Sequence, residues 1–451
     1  MKKKDNNRQH RTNRTVQTMP TGRLWAAWLI ILSSCFISSC TSEVDDYFDQ
    51  PASQRLKTAI DHARQVLRSA EHGWEFEYYP GSQLAYGGVV YTVKFDSLTA
   101  AVGCSLIPDS TETTYYRLTN DNGPVLTFDT YNSLLHYYAT PSGREYEAKG
   151  GEFEFVIDSV ADDFVALYGK KTGNTMCLRK LKSSPDEYAQ KTIRVYDNFV
   201  DSISGFIGTA EFRGKCNPSS RNIKIVSGRD TFDVVYTYTD RGIRLYRPLL
   251  MGGYSVQTFD FDIESRRFTC TDAGCEAVGF DGTPFPGDFM SFTMYEGDYS
   301  LTYDSSSSVD VHLKPNRLEG TYIMQGLSPK YDLVLHYDAQ TGDLKLGSQV
   351  VGSVEGNAVC WSCVNYTGSS LSNISITDEE QFTIRWNGNR FYPRYTFMPT
   401  NGASYNSAVL LYLFYNEAGA LTADLLDRAE WVTNGTALFA HLKSLNRKGR
   451  L

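Results

Sequence analysis

Four groups of residues have the types and spacing to do chemistry. Cys360-Trp361-Ser362-Cys363 carries two thiols two residues apart, as redox and zinc pairs do, while Cys270 and Cys275 have four residues between them. A zinc site would need these four to converge without a nearby histidine, so a disulfide or unpaired half-buried thiols are the simpler readings. Gly169-Lys170-Lys171-Thr172-Gly173 looks like a phosphate loop but lacks the Gly-x-x-x-x-Gly-Lys-Ser/Thr spacing and lies between two strand patterns. It reads as a hairpin turn. Asp162-Asp163, Asp260 with Asp262, Asp338 with Asp343, and Asp378-Glu379-Glu380 all sit beside turns, where solvation is the default. A glycosidase needs only two carboxylates, about 5 to 10 Å apart, a condition that so many acids meet too easily to identify a pair. Asp338 and Asp343 lack the ligand series of a calcium loop, and His136, without partners at ligand spacing, reads as a packed side chain. Neither His-Glu-x-x-His nor Gly-x-Ser-x-Gly occurs. No catalytic residue, metal or cofactor is therefore assigned.

Aromatic rings are the richer class. They make up 13% of the chain, with 30 tyrosines, and flat apolar rings stack on sugar faces at little entropic cost. Trp74, Tyr78, Tyr79 and Tyr86 near the first hairpin, and Trp361, Trp386, Tyr392 and Tyr395 further on, are the candidates. Most are expected in core or edge packing, with one or two lining a ligand surface. Trp386, Trp361, Tyr392 and Tyr86 are the assigned ligand-binding residues, Trp386 first because the turn Asn387-Gly388-Asn389 would leave its ring near a loop end.

The elements that position these rings begin after a leader. Residues 1–23 hold seven bases against Asp5, and Leu24 to Ser39 runs without a charge, the layout of a signal peptide and shorter than the roughly 20 residues of a spanning helix. Ile37-Ser38-Ser39-Cys40 resembles the lipobox of bacterial lipoproteins, in which the cysteine takes the lipid and becomes the new N-terminus. Leu32-Ser33-Ser34-Cys35 is a rival box. Cys40 is preferred because Phe36 and Ile37 extend the apolar core and Glu43, Asp45 and Asp46 follow at once. Met19 is an alternative start. Seven cysteines remain outside the two boxes, an odd number. Removing the leader leaves 37 bases and 51 acids, a net charge near −14, which repels phosphate backbones and argues against a nucleic-acid partner.

Leu56, Ile60, Ala63 and Leu67 then mark one amphipathic helix ending near Gly73, expected to lie on a sheet. After it the period switches to two. Trp74, Phe76 and Tyr78 alternate with Glu75 and Glu77, predicting one buried and one wet face. Strand runs recur at Val89–Phe95, Thr113–Thr119, Val125–Phe128, Val165–Tyr168, Thr231–Tyr238, Val256–Asp262, Tyr331–Tyr337, Leu344–Leu346, Phe382–Trp386 and Ala408–Tyr415. Leu438, Phe439, Leu442 and Leu445 predict a short C-terminal helix. The fold class is mainly β, with antiparallel sheets forming a sandwich or barrel-like body, one N-terminal helix and that C-terminal helix. The divisions are a signal peptide (1–39), an acidic tether (40–52), a helix plus antiparallel β region (53–290) and a C-terminal β domain (291–451), split at the Gly/Pro cluster Gly279–Gly287.

Ser53-Gln54-Arg55, Gly73-Trp74-Glu75-Phe76-Glu77-Tyr78-Tyr79-Pro80-Gly81 and Tyr86-Gly87-Gly88 resemble domain-of-unknown-function family 4302 of Bacteroidetes lipoproteins. Gly123–Asn132 with Leu135-His136, and Asp163-Phe164 followed by Gly169–Gly173, are similar to further blocks of that family. The resemblance covers roughly residues 40–290 and fades towards the C-terminus. It implies an outer-membrane neighbourhood and partnership with SusC/SusD-type uptake complexes, and it supplies no catalytic residues. The acidic cluster after Cys40 resembles the surface-export signal of such lipoproteins, with the periplasmic face as the alternative. The expected role is a non-catalytic accessory or binding component, anchored by lipid, contacting a glycan or peptide or transporter components. A secreted hydrolase with a carboxylate pair and a structural scaffold are the alternatives.

Overall fold

The computed structural model describes residues 50–451 except 122, 142–147, 377–379, 401–403 and 427–429. The leader, both lipobox cysteines, most of the tether, and Asp378 with Glu379 lie outside the described residues. The mainly β, antiparallel character holds throughout the rest, and three of the sheets close. Three eight-stranded barrels follow one another along the chain.

Barrel 1 runs from β1 (Trp74–Tyr78) to β8 (Thr175–Lys180), each strand pairing antiparallel with the next and β1 pairing with β8. Barrel 2 runs from β9 (Ser202–Ile207) to β16 (Gly279–Thr283) and closes the same way. Barrel 3 uses β17 (Gly297–Tyr303) through β21 (Leu344–Gly347), then β25 (Glu380–Trp386), β26 (Arg394–Pro399) and β30 (Ser444–Arg447). The segment between β21 and β25 and the segment between β26 and β30 leave the barrel to build a further sheet. Its order is β22 (Gln349–Val354), β23 (Asn357–Tyr366), β27 (Ser407–Tyr415), β28 (Leu421–Leu425), with β24 (Leu371–Ser372) on β23 and β29 (Leu438–Phe439) on β27.

Alternation puts rings inside. In barrel 1, Phe76 and Phe155 meet edge to face at 5.0 Å, and Tyr78 meets Tyr91 at 5.5 Å. Phe268 and Phe280 stack at 5.0 Å in barrel 2, and Tyr295 and Tyr395 lie 5.2 Å apart in barrel 3. A short helical element precedes each barrel. α1 (Ala52–Arg68) buries Ala63, Val66 and Leu67, and the Trp74 indole N–H donates to Leu67 O at 2.7 Å. Gly73 follows with φ +88°, where a Cβ would stand 2.7 Å from Val93 O, so only glycine fits the approach of helix to strand. α2 (Pro185–Asp197) starts on a Ser184 cap followed by Pro185, Asp186 and Glu187 and buries Tyr188, Ala189, Thr192, Val195 and Tyr196. A 3-10 turn, Phe292–Tyr295, leads into barrel 3.

Two expectations are corrected. The C-terminal helix is replaced by β29 and β30, the latter closing barrel 3 between β17 and β26. Four apolar residues over so short a run fit either period, and the open edges of β17 and β26 decide for strand. The second helix is instead α2. Glu75 and Glu77 on the outer face of β1 are also buried, because barrel 2 covers them.

Candidate functional site

The hairpin loop between β25 and β26 gathers Trp386 and Tyr392, two of the assigned rings, and adds Phe391. Phe391 is 68% and Tyr392 81% exposed, while Trp386 is half-buried. Asparagines hold the loop. Asn389 Oδ1 accepts the backbone N–H groups of Phe391 at 2.9 Å and Tyr392 at 3.0 Å, and Asn387 Oδ1 accepts those of Asn389 at 3.1 Å and Arg394 at 3.3 Å. Asn387 Nδ2 donates to Tyr392 O at 3.3 Å. The rings therefore project from a backbone fixed by side-chain hydrogen bonds.

Two clefts border this loop. The larger, about 750 Å³, is lined by Phe391, Tyr392, Arg394, Arg447 and Arg450 with Asn387, Asn389 and Asn446. Arg447 is structural, donating to Met294 O at 2.6 Å and Glu296 O at 2.7 Å. The smaller, about 160 Å³, holds Trp386 with Asp288, Asp343 and Arg385. Asp343 is gripped by Arg385 at 2.8 Å. The structure thus places Trp386 and Tyr392 on one loop but against different clefts.

Tyr86 lies elsewhere. It lines a cleft of about 430 Å³ where barrels 1, 2 and 3 meet, with its ring 5.5 Å from Tyr138. Beneath it the fully buried Arg221 donates to the carbonyl oxygens of Tyr86, Arg317 and Leu318, tying all three barrels. Trp361 is a correction. It is 1% exposed, packs 5.1 Å from Phe439 and presents no surface, because its face of β23 turns inward to the core. Trp74, Tyr78, Tyr79 and Tyr395 are buried likewise.

The other motifs resolve into structure. All seven cysteines outside the two lipoboxes are buried thiols, none of them in a disulfide. Cys360 and Cys363 are three residues apart on one strand and face opposite sides, so they cannot share a bond or a metal. Among the described residues no three His, Cys, Asp or Glu side chains gather as a metal site. The Gly169–Gly173 turn joins β7 (Phe164–Gly169) to β8, and its amides at Lys171 and Thr172 are already taken by the Glu152 carboxylate. Asp338 accepts from Gln340 N and Thr341 N, Asp260 pairs with Arg241, and Asp262 takes Ser265. His136 stacks between Tyr131 and Phe153, and burial pushes its pKa down.

One buried carboxylate pair was not singled out by sequence. Glu75 and Glu77 both meet Arg244 of β13 (Gly242–Met251), at 3.0 Å for Glu75, and Arg179 lies 3.1 Å from Glu77 and 3.8 Å from Glu75. Burial and the neighbouring Glu77 push the Glu75 pKa up despite Arg244, whereas Glu77, also desolvated by burial, is pulled down by Arg244 and Arg179 together. The second cation explains the difference. Both acids are saturated by arginine between two barrels, which suits them to hold the interface rather than to move protons.

Residues 44–263 match the model of the DUF4302 family. It is described as a domain of unknown function, as is DUF4987, which matches residues 271–411. The first match ends at residue 263, short of the expected 290. The DUF4302 span takes in barrel 1 and barrel 2 through β14 (Tyr254–Asp262), so the strand that closes barrel 2, β16, falls in the DUF4987 span. The hairpin loop described above also lies in DUF4987. The chain matches no curated protein. Among solved structures it is similar to one titled "Structure and mode of action of a mosquitocidal holotoxin", at 10% identity and a TM-score of 0.13, covering 78% of this chain and 59% of that one. A likeness of that grade carries no argument. Among the described residues no helix is long and apolar enough to cross a membrane.

Proposed function

We propose that this chain is a lipid-anchored, non-catalytic binding component of a bacterial outer membrane, holding a glycan at the β25–β26 loop for a nutrient-uptake system. The observation that carries the binding half is the adjacent, exposed Phe391 and Tyr392 on a loop locked by Asn387 and Asn389 above an open cleft. Large rings left in water on a rigid backbone cost little to order and stack well on sugar faces. Each stacking ring contributes about 0.5 to 1.5 kcal/mol beyond burial, so affinity per site is modest and gains from many copies on one membrane. The address half rests on the Cys40 lipobox and its acidic tether.

The test is binding of the purified body to immobilised plant and host glycans and to peptides. Phe391→Ala with Tyr392→Ala should weaken glycan binding several-fold while the thermal transition stays in place. New reducing ends or amines that accumulate with time, and vanish in Asp288→Asn or Asp343→Asn, would replace this reading by a hydrolase working in the small cleft beside Trp386.

A partner-contact reading has its own observation. Cross-strand register puts Val350, Leu413, Tyr415, Leu421 and Leu425 on one face of the added sheet, opposite the face that buries Trp361, and Tyr415 and Leu421 are exposed. Contiguous apolar surface of this kind marks contact with another protein. Co-isolation of transporter components from the native outer membrane, lost in Leu421→Glu, supports it; co-isolation indifferent to that change refutes it.

A further inference from the structure

We infer that the ligand of the larger cleft is an acidic glycan, a sugar polymer carrying carboxylate or sulfate groups; this rests on the glycan-binding reading above. The body is strongly acidic, with 51 acids to 37 bases after the leader. Yet the cleft's described lining contains three arginines, three asparagines and two exposed rings, with no Asp or Glu. Local charge is thus reversed where these rings protrude beside the cleft.

The three arginines are not equivalent. Arg447 spends its guanidinium on Met294 O and Glu296 O and contributes fixed charge at the cleft floor. The guanidinium of Arg394, exposed on β26, has no hydrogen-bond or ion-pair partner among the described residues, and that of Arg450 lies over the Phe391 ring, 5.8 Å from its centre. An arginine fork without a protein acceptor is set to take a planar carboxylate or a sulfate with two parallel N–H donors. Rings beside it bind the apolar face of the same sugar, and asparagines suit its hydroxyls. A single-stranded nucleic acid would meet the same arginines, the same rings and the same acidic remainder of the body, so the oligodeoxynucleotide arm of the experiment separates it from an acidic glycan.

The experiment uses the soluble body and five probes: polygalacturonate, chondroitin sulfate, neutral galactan, poly-glutamate and single-stranded oligodeoxynucleotide. The expected result is binding of at least one acidic glycan well above galactan, poly-glutamate and DNA. That binding should fall about tenfold or more in Arg394→Gln/Arg450→Gln, since each lost charge-assisted hydrogen bond is worth at least that factor. It should also fall as salt rises from about 50 to about 500 mM. Arg394→Lys/Arg450→Lys, which keeps the charge, should recover part of it. Galactan bound as tightly as the acidic glycans, or a Gln double variant that binds like wild type, overturns the acidic-ligand inference, while loss in Tyr392→Ala would leave the glycan-binding reading standing. Equal or tighter binding of poly-glutamate or DNA overturns it as well. Failure of all three glycans to bind removes both.

Discussion

Arg244→Met should destabilise the protein by about 3 to 5 kcal/mol at neutral pH, the usual cost of stripping one partner from a buried ion pair. Arg244 serves two carboxylates at once, and the side chains of Arg244, Glu75 and Glu77 are only 14%, 10% and 6% exposed. At an effective dielectric constant of about 20, each close pair is worth about 4 kcal/mol of Coulomb attraction. Most of that offsets the desolvation of three ions. Removing the cation leaves the desolvation and takes away the attraction, moderated for Glu77 by Arg179 at 3.1 Å.

The pH dependence has a definite sign. In the native protein Glu77 has a lowered pKa, so its stabilisation is full above the unfolded carboxylate value and is lost as pH falls through the lower native one. Glu75, raised, acts oppositely: its cost at neutral pH is relieved as pH falls through its raised value. Without Arg244 both acids should titrate high, and both penalties should shrink on acidification. Urea midpoints of wild type and variant at pH 7.5 and pH 5 measure this, with Glu75→Gln/Glu77→Gln/Arg244→Met expected to recover most of the loss. A loss under about 1 kcal/mol, or one of equal size at both pH values, would refute the reasoning, because an exposed pair behaves that way and a buried one does not.

Cys40→Ala should release the protein from the membrane fraction and Cys35→Ala should not; fractionation of the two variants decides which box is used. Trp361→Ala should cost about 3 to 5 kcal/mol without changing glycan affinity, and Trp361→Phe clearly less, since the indole N–H has no hydrogen-bond partner among the described residues. Denaturation midpoints and binding measured side by side separate these outcomes. The released body should expose seven reactive thiols in denaturant and close to none natively, given seven buried thiols, none of them in a disulfide; a lower denatured count would mean that a disulfide forms.

Strand patterning was legible wherever one face meets the core. Val89–Phe95 is β2 to the residue, and the edges of β5 (Pro124–Phe128) and β25 were nearly as clear. Closure was not legible, because it depends on β1 finding β8 across a hundred residues, which no local window contains. Barrel-on-barrel packing was equally hidden. Glu75 and Glu77 alternate with rings like a solvated face, and only Arg244, far along the chain, shows that the face is covered. α2 had a readable start in Ser184-Pro185-Asp186-Glu187. At the candidate site, the turn after Trp386 correctly suggested a ring near a loop. Phe391 was overlooked although it sits in Asn389-Arg390-Phe391-Tyr392-Pro393, two rings inside a polar turn. Burial of Trp361 follows from which side of β23 faces the core, and a run apolar on both faces does not reveal that.

The barrels bear on where the proposed ligand could sit. An eight-stranded barrel has an interior just wide enough for side chains to fill or for one small ligand. Here rings occupy it at centroid distances such as 5.0 Å for Phe76 and Phe155 and 5.2 Å for Tyr295 and Tyr395, ordinary contact spacings in a packed core. A polymer cannot enter such a core, so the proposed recognition would fall to hairpin tips and added elements. Barrel 3 has both. Its β25–β26 hairpin is anchored at the base by β21 on one side and β30 on the other. The loop it carries is therefore borne by a closed sheet, while its own asparagines fix the backbone beneath Phe391 and Tyr392. Rigid support of that kind lets two or three weakly stacking rings and a pair of unpaired arginines act together, since little ordering cost is left to subtract from their contacts.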